Sequence, residues 1–162
     1  MSQPATIDGL AFARNALEVR GRLGLASMPR LAQSGCSDAA LCFVLNGEIS
    51  QRGKPVLRLS VDGSARVVCQ RCIERFELPL RFEVQLELAT SEAEIVAADD
   101  EDDTDRILAG REMNLAALVE DEVLLALPMV PKHERCVAAT VSDGNAKPSS
   151  FQGLAVLKKL SR

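Results

Sequence analysis

The chain has 162 residues, 47% of them apolar, which suits one domain with a hydrophobic core and excludes a wholly disordered chain. Its five cysteines, an odd number, argue against a disulfide-paired secreted framework, and its longest apolar stretch, residues 123–131, is far shorter than the roughly 18 residues of a membrane span. The net charge of −4 is unevenly spread: residues 1–90 carry 11 Lys/Arg against 9 Asp/Glu, residues 91–122 carry 2 against 12, and residues 123–162 carry 6 against 2. The amino-terminal residues show neither a basic start nor a continuous apolar stretch, so no secretory signal is expected. A reducing cytoplasm is the expected location. A pI near 5.1 gives nucleic-acid binding no support from bulk charge. With no Trp, no Tyr and five Phe, an RNA contact would not rest on an aromatic stacking platform.

In chain order, Ile7, Leu10, Ala11 and Arg14 predict a short amphipathic helix with Thr6 as its N-cap. Residues 17–25 alternate apolar and polar and predict a half-buried strand, and residues 28–32 a helical turn. A meander follows: a strand over 41–49, a turn at QRGK, a strand over 55–61, then a turn at DGS leading into 65–69. The clearest periodicity comes next, with Phe76, Leu78, Leu80, Phe82, Val84, Leu86 and Leu88 at every even position. That is a long strand with one buried and one wet face, and Pro79 on the wet face marks an edge or a bulge.

Residues 91–106 read as a mobile acidic loop, because DDEDDTD repels itself and buries nothing. Asn114 should cap a helix over 115–127 whose apolar stripe is Leu115, Leu118, Val119 and Ala126, with Pro128 as its stop. Residues 137–162 form a polar linker and a short amphipathic tail ending in Lys158, Lys159 and Arg162. The expected architecture is a single α+β domain: an antiparallel sheet with an N-terminal helix, and the 115–127 helix packed on the sheet's apolar face.

Two short motifs carry chemistry. Cys69-Gln-Arg-Cys72 lies between two strands, and His133-Glu-Arg-Cys136 lies just after the helix stop. Together they offer four soft or borderline ligands in two bidentate arms, a set that suits a structural zinc with no open position. The plainer reading is two buried thiols in a turn with a surface His and Cys. A redox reading of the CxxC lacks the helix N-terminus that lowers a thiol pKa, since the motif runs straight into a strand. Cys36 and Cys42 read as buried small hydrophobes.

No phosphate-cradling glycine loop is present, and any catalytic triad would have to use His133, the only histidine. Glu120, Asp121 and Glu122 are adjacent on one helix and so diverge; a solvated face is the plain reading, with Glu122 alone near the apolar stripe. The sequence does not read as an enzyme. A metal hydrolase would need an open zinc position, which four protein ligands close.

Two longer segments are more specific. RVVCQRCIERFELPLRFEV (66–84) and LAALVEDEVLLALPMVPKHERC (115–136) resemble the signature segments of the bacterial YceD family, the large ribosomal RNA subunit accumulation proteins. The N-terminal helix-strand region, the acidic loop and a tail like FQGLAVLKKL match as well, so the resemblance covers most of the chain. It implies a cytosolic, non-enzymatic factor supporting synthesis, processing or stability of the large-subunit (23S) ribosomal RNA. Under that reading, Arg66, Arg71, Arg75 and Arg81 of the sheet and Lys158, Lys159 and Arg162 of the tail are candidate RNA contacts. The acidic loop with Glu120, Asp121 and Glu122 would meet a basic ribosomal or assembly protein. For each arginine the alternative is an ordinary solvated strand face. For the whole protein the alternative is a zinc- or redox-responsive protein-interaction module without RNA contact.

Overall fold

The structure, a computed structural model, describes residues 5–96 and 105–136. Along the chain run β1 (Thr6–Ile7), α1 (Gly9–Arg14), β2 (Glu18–Gly24), a 3-10 turn (Leu25–Ser27), α2 (Pro29–Gln33), β3 (Asp38–Ile49), β4 (Pro55–Val68), β5 (Arg75–Ala89), α3 (Glu92–Val96), β6 (Asp105–Leu108), β7 (Met113–Asn114) and α4 (Leu115–Ala126). The class is mixed α+β. One five-stranded sheet has the order β2-β3-β4-β5-β6, and β1 pairs with β7 in a small ribbon. No helix among the described residues is long and apolar enough to cross a membrane.

Period-2 patterning builds the sheet. Leu41, Phe43 and Leu45 of β3, Leu57, Leu59 and Val61 of β4, and Leu80, Leu86 and Leu88 of β5 are all buried. Pairing aligns them in rows on one face, Phe43 opposite Val61 and Val61 opposite Phe82, with Leu45, Leu59 and Val84 forming the next row. Cross-strand rows of this kind set the register, because a one-residue slip would turn every apolar side chain outward. Phe12, Met28, Leu31, Leu115, Leu118, Val119 and Val123 from the helices and turns belong to the same core. Gly47 of β3 admits α1, since a Cβ there would lie 2.4 Å from the Phe12 carbonyl oxygen.

Several sequence expectations are corrected. The sheet is not wholly antiparallel: β6 runs parallel to β5, pairing Leu86–Ala89 with Asp105–Leu108. The expected loop over 91–106 is therefore ordered at both ends, as α3 and as the start of β6. Asp105 and Arg106 enter the strand because Arg106 Nε donates to Glu87 Oε1 at 3.0 Å across the pairing, both side chains being largely buried. The central run 97–104 lies outside the described residues, as do Lys158, Lys159 and Arg162 in the tail.

No turn forms at Asp62-Gly63-Ser64. β4 passes straight through in register with β3, and a Cβ at position 63 would lie 2.2 Å from the Ala40 carbonyl oxygen. Glycine serves here to let two backbones approach, not to reverse the chain. Asp8, not Thr6, caps α1, its Oδ1 accepting from the Ala11 N–H at 2.9 Å. Thr6 and Ile7 are instead drawn into pairing with Asn114 and Met113. Pro79 causes no break in register, and β6 reaches β5 only over Leu86–Ala89, which leaves Pro79 on an edge among the described strands. Asn114 caps α4 as expected, accepting from the Ala117 N–H at 3.0 Å. Ala126 is exposed, however, and Glu120, Glu122 and Val123 are buried in its place. Cys36 is buried as expected, whereas Cys42 is exposed on the outer face of β3.

Candidate metal centre

The link between β4 and β5 is a tight knuckle. The Cys69 N–H donates to the Glu74 carbonyl at 2.8 Å, and the Ile73 N–H to the Cys69 carbonyl at 2.9 Å. Ile73 has φ 64°, a left-handed conformation that costs a β-branched residue roughly 1–2 kcal/mol. This closure turns both cysteines of the CxxC toward one side. Beyond Pro128 the chain comes back to the knuckle, where Pro131 accepts from the Gln70 N–H at 2.9 Å.

That return brings the second arm against the first. Cys69 Sγ lies 3.6 Å from Cys136 Sγ, and Cys72 Sγ lies 3.3 Å from His133 Nδ1. All four ligand atoms fall within 4.8 Å of one another. A tetrahedral zinc with Zn–S bonds of about 2.3 Å holds its sulfurs about 3.8 Å apart, close to the Cys69–Cys136 separation, so the group could hold a metal ion. A disulfide needs about 2.05 Å and is not what these sulfurs form. The Phe76 ring packs on the His133 imidazole at 4.4 Å between centroids and helps hold Nδ1 toward the thiols. Cys69 is buried, and the other three are half-buried.

Electrostatics favour a cation. Burial pushes the Cys69 thiol up, but hydrogen bonding from the backbone at Cys72, His133 and Arg71 outweighs it and brings the pKa down to about 5. At Cys72 the backbone of Glu74 favours the thiolate, yet burial and the neighbouring Cys69 and Cys136 sulfurs push that thiol up. One thiolate is thus welcome and a second is opposed. A bound dication reverses that balance, since it deprotonates its thiol ligands outright. The donor set of three sulfurs and one imidazole nitrogen is one that zinc accepts.

The arginines proposed for RNA fall in different settings. Arg66 pairs with Glu77 at 3.2 Å, and Arg81 with Asp62 at 3.5 Å, both on the outer face of the sheet. Arg75 is exposed on the same face, with no ion pair among the described residues. Arg71 is turned into the cysteine cluster: Nε donates to Cys136 Sγ at 2.9 Å, and a terminal nitrogen to the His133 carbonyl oxygen at 3.1 Å. Its residue type and local pattern do not mark Arg71 as different from the other arginines. The signal lies only in its position between the two cysteines.

The acidic triplet on α4 is not a uniformly solvated face. Glu120 is 2% exposed; its Oε1 accepts from the Leu31 N–H at 2.9 Å and its Oε2 from Arg30 Nε at 3.0 Å. Asp121 pairs with the same guanidinium. The Arg30 side chain thus ties α2 to α4. Glu122 is buried with no such cation among the described residues, and burial, with Asp105 and Asp121 nearby, pushes its carboxyl up.

The family whose description is "Large ribosomal RNA subunit accumulation protein YceD" matches residues 57–160, which include most of β4, all of β5 and α4, and all four cluster residues. The chain belongs to the YceD family. A YceD protein bearing that same description, from Haemophilus influenzae, is 28% identical over 175 aligned residues, covering 96% of each chain. No solved structure matches this YceD-family chain. The family takes its name from accumulation of a ribosomal RNA, not from a catalysed reaction.

Proposed function

We propose that this protein is a non-enzymatic cytoplasmic factor that supports synthesis, processing or stability of large-subunit (23S) ribosomal RNA, by binding RNA, ribosomal assembly proteins, or both. The supporting observation is the family match over both signature segments, joined to a relative of that description aligned along nearly the whole chain. In this reading Arg75 and the tail residues Lys158 and Lys159 meet RNA phosphates. Arg66 and Arg81 would have to exchange their carboxylate partners for phosphate. With Glu120 and Glu122 buried, the acidic contribution to a protein partner falls to Asp121, half-exposed beside Arg30, and to the acidic stretch before β6.

The test is crosslinking in cells followed by sequencing of bound RNA, with salt titration on the purified protein. Crosslinks to the large-subunit RNA or its precursor are expected, with log affinity falling against log salt by roughly 0.7 per phosphate contact on single strands. Crosslinks no richer in that RNA than background, with association to pre-ribosomal particles surviving nuclease, would move the function to protein contacts alone.

We also propose that Cys69, Cys72, His133 and Cys136 hold a structural zinc. Bound there, it would staple the β4–β5 knuckle to the segment after α4. Protein purified without chelator should contain one zinc per chain, and loss of Cys136 should lower that content to near zero.

A further inference from the structure

We infer that Arg71 is the positioning residue of the metal centre, its guanidinium fastening the second ligand arm to the first and offsetting the charge of the thiolates. The inference rests on the zinc reading given above. Arg71 lies between Cys69 and Cys72, so its backbone belongs to the first arm. Its side chain reaches the second arm at two points, Cys136 Sγ at 2.9 Å and the His133 carbonyl oxygen at 3.1 Å. One planar group therefore fixes both ends of His133-Glu-Arg-Cys136. The planar guanidinium presents its donors in a preorganised fork, whereas a lysine ammonium on its flexible stem would hold the same two acceptors less firmly.

The chemistry of the site calls for such a group. Three thiolates and a neutral imidazole around a dication leave one net negative charge in a partly buried place. A guanidinium hydrogen-bonded to one of the sulfurs offsets that charge and lowers the energy of the Cys136 lone pairs. Outer partners of this kind typically change metal affinity by roughly 10–100-fold. The same geometry sets Arg71 apart from the other candidate RNA contacts, because two of its five N–H donors already serve the cluster. Arg75, four residues on, keeps its side chain on the exposed face.

The test uses the full chain as wild type and as Arg71→Gln, Arg71→Lys and Arg75→Gln, each loaded with zinc and, separately, with cobalt(II). Zinc release to excess chelator should be roughly 10–100-fold faster in Arg71→Gln, intermediate in Arg71→Lys, and unchanged in Arg75→Gln. In the cobalt forms, the sulfur-to-metal charge-transfer band should move to lower energy in Arg71→Gln, because a thiolate without its hydrogen bond gives up charge more readily. A merely structural role would not move that band. If Arg71→Gln does not fold, Arg71→Lys carries the comparison. Release rates within twofold of wild type and an unmoved band would overturn the inference and leave the zinc site standing. A wild-type chain that retains no metal would overturn both.

Discussion

The sheet and the arm after α4 are held in place by different physics. β4 contributes Leu57, Leu59, Val61, Ala65 and Val67 to the core and pairs along its length with β3 on one side and β5 on the other. The 129–136 arm contributes no residue to the buried core; Met129 is 99% exposed and Val130 51%. Its attachments are one main-chain hydrogen bond to Gln70, the Arg71 fork, the Phe76 ring and the ligand cluster itself. Apolar burial stabilises the first region with or without a metal. Among the described residues the second region is held by polar contacts, one ring contact and the candidate ligand cluster, so with zinc bound as proposed it should follow metal occupancy.

The largest expected effect tests the first half of that contrast. Phe43→Ala removes a large side chain that is 2% exposed, at the centre of the β3–β4 rows. It should lower unfolding free energy by about 3–5 kcal/mol, seen as a reduced midpoint in urea. A change under about 1 kcal/mol would mean that the sheet does not depend on this core.

Next come the two buried carboxylates of α4, whose signs should be opposite. Arg30 and the Leu31 N–H outweigh burial at Glu120 and hold its carboxyl below the ordinary 4.5. A carboxyl lowered by folding adds stability above its unfolded pKa, and that stability is lost as pH falls through the folded value. Glu120→Ala should therefore destabilise by about 1–3 kcal/mol at pH 7, with the difference from wild type shrinking below pH 4.5. Glu122 is raised, so ionising it opposes folding above its unfolded pKa. Glu122→Gln should raise the melting midpoint at pH 7, and the gain should fade as the pH is lowered and the wild-type carboxyl protonates. Thermal melts from pH 3 to pH 8 check both. The same sign for both variants would sink the assignment.

The smallest effect on the global transition is expected from the metal itself. Structural zinc contributes about 10 kcal/mol to small fingers, but here the core does not include the second arm. Chelation, or Cys136→Ser, should speed hydrogen exchange at 69–74 and 131–136 while leaving β3, β4 and the centre of β5 protected. Loss of protection along β4 would break the contrast between the two regions.

Much of this arrangement was legible in the chain because it is local. The even-numbered apolar run from Phe76 to Leu88 is a strand whatever lies beside it, since side chains alternate faces along any extended chain. Asn114 and Pro128 bound α4 through hydrogen bonds and sterics that reach only a few residues. The two cysteine motifs stood out as candidate ligand pairs by their spacing alone. What needed tertiary structure was every decision made across long separations. Asp62-Gly63-Ser64 has the composition of a turn, and only the closeness of the β3 backbone turns its glycine to another use. β6 joins the sheet in parallel through Glu87 and Arg106, a pairing that its acidic surroundings do not suggest. Glu120 reads as surface until Arg30, 90 positions away in sequence, is placed against it. Cys72 and His133, 61 positions apart, become candidate ligands of one ion only because the strand pairing and the helix stop deliver both arms to one point. Local geometry follows from short-range sterics and hydrogen bonds, whereas these meetings depend on which faces the whole chain can bury at once.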